Sequence, residues 1–427
     1  MSAVIENSNQ YARFWRWHFY AAFLVIPFIL WQGITGVTYL WHADISDALW
    51  PELRFVTPGK MRSSLDDQFN AAIAVNAGEK PKLIKISGEA NRSTQFVYEH
   101  ENGLSSPTFV DPYSGKVLGS VSPTTWLPGL TRELHGGWPF GKPGSWWLEL
   151  GACWCIVMVL TGIYLWWPRK NKGMAGVLYP RLRAGSRVFW KDLHSVVGIW
   201  FSFLFLAFLV TALPWTDFWG NQILKPIQRM TNQTAPAGLG FSHHANTHSH
   251  HEGHQMISLQ RALDIANAEG LQGDLEIRLK SAGEPIVVVM KKGRAANERT
   301  VQIDPVSGNV LARVSWRDYP IVPKAISTGV DLHEGTFFGR ANQIFNSVVV
   351  LAMFWLVFTG FMGWYKRRPG KGLSAPPATQ KVWPKWLPWV AVTLCILMPL
   401  LGLSVLLVWL MDRFVLGMFR GLKGARS

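Results

Sequence analysis

Apolar and polar stretches alternate along the chain. Five apolar segments have about the 20 residues that a helix needs to cross a lipid bilayer. They lie near residues 19–41, 146–167, 195–215, 343–365 and 386–411. The first is long and aromatic and no small-residue cleavage site follows it, so we interpret it as a retained anchor rather than a cleaved signal. The pattern predicts a membrane protein with helical spans.

Two long polar segments separate the first apolar segment from the second and the third from the fourth, and both have the same internal order. A helical pattern comes first, at 64–77 and again at 258–268. Alternating apolar and polar residues follow, which predict strands, at 82–86, 95–98, 286–290 and 300–303. An Asp-Pro-x-Ser-Gly turn signal joining two strands then begins at Asp111 and again at Asp304. Each segment therefore predicts a small α+β domain.

The sequences at the ends of the spans repeat as well. His18 and His194 are each followed seventeen residues later by a Thr, at Thr35 and Thr211. His135 and His333 each precede a Thr-Gly pair by 26 residues, at Thr161 and Thr359. The chain is therefore a duplication of the order span, α+β domain, span, followed by one extra apolar segment. Because both copies have the same orientation, we expect a pseudo-two-fold axis along the membrane normal.

The composition excludes an ordinary soluble protein and explains the basic charge. Hydrophobic residues make up 48% of the chain and charged residues only 16%, against about 25% charged in soluble domains. The net charge of +15 arises mainly in two short loops, because 168–191 and 366–385 hold seven and six basic residues and no acidic ones. The positive-inside rule places these loops and the N-terminus in the cytoplasm and the polar domains outside. No nucleic-acid partner is needed to explain the charge.

Four histidines form two symmetric pairs under this repeat. His18 and His194 lie at the cytoplasmic ends of spans one and three, and His135 and His333 at the outer approaches to spans two and four. A two-fold axis brings each pair to face itself, which suits a metal bound by one imidazole from each side. Bis-imidazole b-type haem fits best, because haem leaves two axial positions and an apolar bundle holds its ring. His42 is a reserve ligand. Any one of these residues alone would be read as an interfacial group.

These motifs resemble the PepSY-associated transmembrane family over residues 12 to 368. The resemblance rests on the order of span, α+β domain, Leu134-His135 or Leu332-His333, and a span ending in Thr-Gly and aromatic residues. The family includes ferric-siderophore reductases of the bacterial inner membrane that carry two haems. The resemblance thus implies two b-type haems, a multi-pass protein of the bacterial inner membrane with its N-terminus in the cytoplasm, and periplasmic domains that dock a ferric chelate.

The expected fold is a mainly α membrane protein. It has a duplicated unit of transmembrane helix, periplasmic PepSY-like α+β domain and transmembrane helix, a pseudo-two-fold four-helix haem-binding core, and a fifth C-terminal hydrophobic helix. The predicted segments are span one at 12–42, PepSY-like domains at 43–130 and 217–328, span two with its lead-in at 131–167, span three at 192–216, span four with its lead-in at 329–365, basic loops at 168–191 and 366–385, span five at 386–411 and a basic tail at 412–427. An odd fifth span puts this basic tail outside, so either the tail is an amphipathic surface helix or the fifth segment does not span.

A histidine-rich insertion distinguishes the second copy. The His18-to-His194 offset is 176 residues and the His135-to-His333 offset is 198, so the second polar segment is 22 residues longer. The extra stretch includes 241–254, whose histidines are His243, His244, His248, His250, His251 and His254. Such tracts bind divalent metals, and we expect either a metal site or a solvated loop that binds metal incidentally.

The expected reaction is reduction of a ferric siderophore or another ferric chelate, which weakens the hold of hard oxygen ligands on iron. The chain has no Gly-rich dinucleotide motif after a strand and no P-loop, so electrons must come from a quinol or a cytoplasmic reductase. Two other functions stay open. One is a transport-associated membrane protein that captures metal on the histidine-rich loop, and the other is a non-catalytic PepSY regulator.

Overall fold

The computed structural model describes residues 2–168, 173–236, 256–279, 283–368, 384–411 and 414. The helices are α1 (Ser2–Leu40), α2 (His42–Leu49), α3 (Pro51–Arg54), α4 (Leu65–Val75), α5 (Leu127–Gly136), α6 (Gly141–Trp166), α7 (Ser186–Ala212), α8 (Lys225–Met230), α9 (Leu259–Ala268), α10 (Ile321–His333), α11 (Arg340–Tyr365), α12 (Leu387–Leu397) and α13 (Pro399–Leu410). The chain forms two compact units. The helical unit comprises 1–34, 140–224 and 347–427, and the sheet unit comprises 35–139 and 225–346.

Four helices of the described residues are long and apolar enough to cross a membrane. They cover Gln10–Leu40, Gly141–Trp166, Ser186–Trp215 and Arg340–Tyr365. In the helical unit they share one apolar core, in which Val25, Cys153, Leu209 and Met353 are buried. Cys153 and Cys155 are free, buried thiols in this core, where they pack as small apolar side chains.

The sheet unit contains one antiparallel sheet of eight strands. The strands are β1 (Leu83–Ile86), β2 (Thr94–Glu99), β3 (Ser105–Val110), β4 (Val117–Ser120), β5 (Asp274–Arg278), β6 (Ile286–Lys291), β7 (Arg299–Ile303) and β8 (Val310–Ser315). Their order is β4-β3-β2-β1-β5-β6-β7-β8, so the four strands of each copy join edge to edge at β1 and β5. The register pairs Ile84 with Ile277 and Lys85 with Glu276. This seam covers the edge strand that each copy would otherwise expose.

One face of the sheet is covered by the two amphipathic helices that the sequence predicts. Ala72 of α4 and Ala262 of α9 are fully buried against Ile84, Phe96 and Ile277. The N-termini of the two helices cap each other. The Asp66 carboxylate accepts hydrogen bonds from the Leu259 and Gln260 amides at 2.8 and 3.0 Å, and the Gln260 side chain accepts one from the Leu65 amide at 2.8 Å. These caps satisfy amides that a helix leaves without an internal partner.

The two predicted turns are confirmed. Each Asp of the Asp-Pro-x-Ser-Gly sequence accepts backbone hydrogen bonds through its carboxylate, Asp111 from Tyr113 at 2.9 Å and Asp304 from Ser307 at 2.7 Å. The closing glycines, Gly115 and Gly308, have φ values of +69° and +73°. A side chain is disfavoured in that left-handed conformation, so glycine ends both turns.

The predicted fifth helix requires a correction. Residues 386–411 form two short helices, α12 and α13, rather than one continuous helix. Pro399 cannot donate a backbone hydrogen bond, and Met398 has φ −130° and ψ 81°, which is not helical. The chain turns sharply here, because a Cβ on Gly402 would lie 3.3 Å from the Cys395 carbonyl oxygen. α13 packs on α6, where Trp154 Nε1 donates to Ser404 Oγ at 3.2 Å.

Candidate cofactor site: two pairs of facing histidines

His18 of α1 and His194 of α7 face each other in the helical unit. Their ring centroids are 6.2 Å apart and the ring planes are 79° from parallel. His18 Nδ1 lies 3.1 Å from the Met158 carbonyl oxygen, and His194 Nδ1 lies 3.1 Å from the Leu356 carbonyl oxygen. A carbonyl oxygen only accepts hydrogen bonds, so Nδ1 carries the proton in both rings. Each Nε2 therefore keeps a lone pair for a metal.

The Thr-Gly pairs hold these imidazoles. Thr161 Oγ1 lies 3.1 Å from His18 Nδ1, and Thr359 Oγ1 lies 3.3 Å from His194 Nδ1. The glycine that follows each threonine lies against the same ring, because a Cβ on Gly162 or Gly360 would stand 3.3 Å from the imidazole Cε1. Each Thr-Gly pair thus supplies one polar partner and room for the ring.

His135 and His333 form the equivalent pair in the sheet unit. Their ring centroids are 6.5 Å apart and the planes are 63° from parallel. Thr35 Oγ1 lies 3.0 Å from His135 Nδ1, and a Cβ on Gly36 would lie 3.1 Å from the His135 ring. The Thr-Gly arrangement therefore recurs at a third histidine. His135 and His333 lie at the ends of α5 and α10, and both helices are distinct from the long helices that follow them.

A buried asparagine fixes the backbone at His333. Asn346 of α11 is 2% exposed. Its side-chain amide donates to the carbonyl oxygens of Leu332 and His333 at 2.8 and 2.9 Å. Asn342 donates to the Leu332 carbonyl as well, at 3.1 Å. These bonds hold the last turn of α10 against α11. Neither asparagine was predicted from the sequence, although two amides one turn apart in an apolar span are a detectable signal.

The spacing of both pairs fits a metal between two imidazoles. Each ring nitrogen lies about 1 Å from its ring centroid, and a metal–imidazole bond is about 2 Å, so a bridging metal requires centroids about 6 Å apart. Among the described residues, no group of three or more His, Cys, Asp or Glu side chains is placed to hold a metal ion. A metal at either pair would thus take two ligands from the described protein groups and its other ligands from a cofactor or from solvent. The donor set fits a haem, which supplies four nitrogens and leaves two axial positions.

Other candidate residues lie elsewhere. The His42 ring stacks on Tyr39 at 4.9 Å, and its Nδ1 lies 2.7 Å from the Tyr39 carbonyl oxygen. The structure does not bring this reserve ligand into either pair. Burial lowers the pKa of His42, so this ring is neutral at pH 7. The predicted metal-binding histidines from His243 to His254 lie outside the described residues.

A comparison with protein families matches the part of the chain that contains both copies of the repeat. The family profile described as the PepSY-associated TM region matches residues 15–367, a range that includes both histidine pairs and the whole sheet unit. A comparison with curated proteins gave no match. The matched range covers most of the chain, including both copies of the repeat, and the chain therefore belongs to the PepSY-associated TM family.

Proposed function

We propose that this protein is a haem-dependent ferric-chelate reductase of the bacterial inner membrane, with one b-type haem at each histidine pair. The observation that carries the proposal is the facing of two imidazole pairs at 6.2 and 6.5 Å. Histidines that serve only as interfacial groups need not face each other in two equivalent pairs, whereas bis-imidazole haem ligands must.

The protein's own contribution is to set the orientation and the tautomer of the imidazoles for metal binding. His18 and His194 are fixed in the tautomer whose Nε2 can bind metal, because carbonyl oxygens accept from both Nδ1 atoms. Such outer partners orient a ligand and raise its basicity. A haem bound at each pair supplies one-electron carriage. The groups that hydrogen-bond these imidazoles are hydroxyls and main-chain carbonyls, so we assign no acid–base role to them.

The proposed direction of electron flow follows from the charges. By the positive-inside rule, we expect the His18–His194 end to face the cytoplasm and the sheet unit to lie in the periplasm. Electrons from a quinol or a cytoplasmic reductase would enter at the first pair and leave at the second. The acceptor is a ferric siderophore or another ferric chelate, and its reduction releases Fe(II) without breaking the chelator.

Anaerobic stopped-flow spectroscopy tests this function. The purified protein, reduced with dithionite and freed of excess reductant, should be reoxidised by ferric hydroxamate, catecholate or citrate chelates, while a ferrous-iron trap gains colour in proportion. Gallium chelates of the same ligands bind alike and accept no electron, so they should leave the spectrum unchanged. Reoxidation at the same slow rate with every ferric chelate and with the gallium controls would contradict the proposal.

The His333→Ala variant tests the role of the second histidine pair in this assay, and His42→Ala is its matched control. His333→Ala should lose most of its chelate-dependent reoxidation, because the pair proposed to deliver electrons is broken. His42→Ala should behave like the wild type, since His42 belongs to neither pair. Equal rates in all three proteins would separate the reduction from the histidine pairs.

A further inference from the structure

Arg367 lies beside the His18–His194 pair. It follows the end of α11, and its Nε donates to the Gly363 carbonyl oxygen at 2.9 Å. Its guanidinium carbon lies 4.9 Å from the centre of the Trp15 ring, and Trp15 is three residues before His18 on α1. The charge of Arg367 also acts on the imidazole of His194. Arg367 thus stands near His194 and against the helix that carries His18.

The Arg367 guanidinium has no carboxylate partner in the described part of the chain. Nε is the one donor with an acceptor there, which leaves its other N–H groups available. Partial burial lowers the pKa of Arg367, and the nearby Tyr11 phenol only partly opposes that shift. The side chain as a whole is exposed, so its remaining N–H groups can reach an anionic ligand, and arginine matches a carboxylate with two parallel hydrogen bonds.

We propose that Arg367 binds a propionate carboxylate of the haem held by His18 and His194. This inference rests on the proposed function, because that function supplies the haem. It adds a ligand contact outside the axial pair and explains why one cation of the basic loop lies against α1. By the 198-residue offset the first copy has Arg169 at the equivalent position, which lies outside the described residues.

Haem and haem dimethyl ester, whose propionates are blocked, distinguish this contact from a general charge effect. Full-length protein stripped of haem would be reconstituted with each, as wild type, Arg367→Gln, Arg367→Lys and Arg368→Gln. Arg368 is the matched control, because it has the same charge and stacks 4.7 Å from the Tyr365 ring. The readouts are the rate of haem transfer to apomyoglobin and the midpoint potential of each haem.

With ordinary haem, Arg367→Gln should speed transfer of one haem roughly tenfold and lower its midpoint potential. Arg367→Lys should lie between, and Arg368→Gln should match the wild type. With the dimethyl ester, the difference in transfer rate between wild type and Arg367→Gln should vanish. A difference in transfer rate that persists with the ester, or no difference with either haem, overturns the inference and leaves the proposed function standing. Failure of wild type to take up haem overturns both.

Discussion

At the scale of single residues, the proton on Nδ1 decides whether each imidazole can bind a metal through Nε2. His18 and His194 each place Nδ1 against a main-chain carbonyl and a threonine hydroxyl. The carbonyl fixes the tautomer, and the glycine after the threonine admits the ring. The Thr-Gly pair is therefore part of the proposed haem site, although neither of its residues would contact a metal.

Removal of the Thr161 hydroxyl tests this role. We expect Thr161→Val, which keeps the shape of the side chain, to weaken haem binding at the His18–His194 pair by roughly tenfold and to shift that haem's potential. Haem titration of the stripped protein measures both sites. Thr393→Val is the control, because Thr393 is exposed on α12. Unchanged affinity in Thr161→Val would leave the carbonyl as the effective partner.

At the scale of secondary structure, the joined sheet is the main feature that the sequence did not predict. Alternation and turn signals predict four of the strands nearly to the residue, but they contain no information on which edge strands meet. The β1–β5 pairing joins residues nearly 200 positions apart, and backbone hydrogen bonds between edges leave no pattern in side chains. Gly88 and Gly273 are the nearest signal, because a Cβ on Gly88 would lie 2.7 Å from the Gly273 Cα.

Engineered cysteines test the register of this seam. Lys85 and Glu276 are directly opposed, and opposed side chains on one sheet face are about 5 Å apart at Cβ. We expect Lys85→Cys/Glu276→Cys to form a disulfide on mild oxidation, seen as a mobility shift that reductant reverses. Lys85→Cys/Ile277→Cys should not, because Ile277 points to the opposite face. Cross-linking in the second variant alone would indicate a one-residue slip.

The helices next to this sheet should respond to acid through Asp47. Burial alone raises the pKa of Asp47, but hydrogen bonds from Arg92 and Arg54 at 2.7 and 2.8 Å outweigh it and hold the pKa below its usual 3.8. This stabilisation is present above pH 3.8 and is lost as the pH falls through the lower folded-state value. We expect Asp47→Asn to cost about 1 kcal/mol at pH 6 and little at pH 2, by hydrogen exchange in α2 and α3. An equal cost at both pH values would assign the effect to packing.

At the scale of the whole molecule, most of the correct predictions came from recognising the duplication in the sequence. Equal spacings identified the four histidines, and the structure brings them together in the predicted pairs. The Thr-Gly pairs were visible as a repeat in the sequence, but the histidine that each pair contacts was not. His18 uses Thr161 of the next span rather than Thr35 of its own, because residues that share a helix and lie seventeen positions apart cannot touch. The break at Met398 could have been predicted from Pro399.

The most direct test of the account is the haem content of the purified protein by pyridine haemochromogen assay, in wild type, His18→Ala, His333→Ala and His42→Ala. We predict two b-type haems in wild type and His42→Ala and one in each of the other two variants, and by redox titration the haems that these two variants retain should differ in midpoint potential. A colourless wild type, or two haems with unchanged spectra in His18→Ala and His333→Ala, would contradict it.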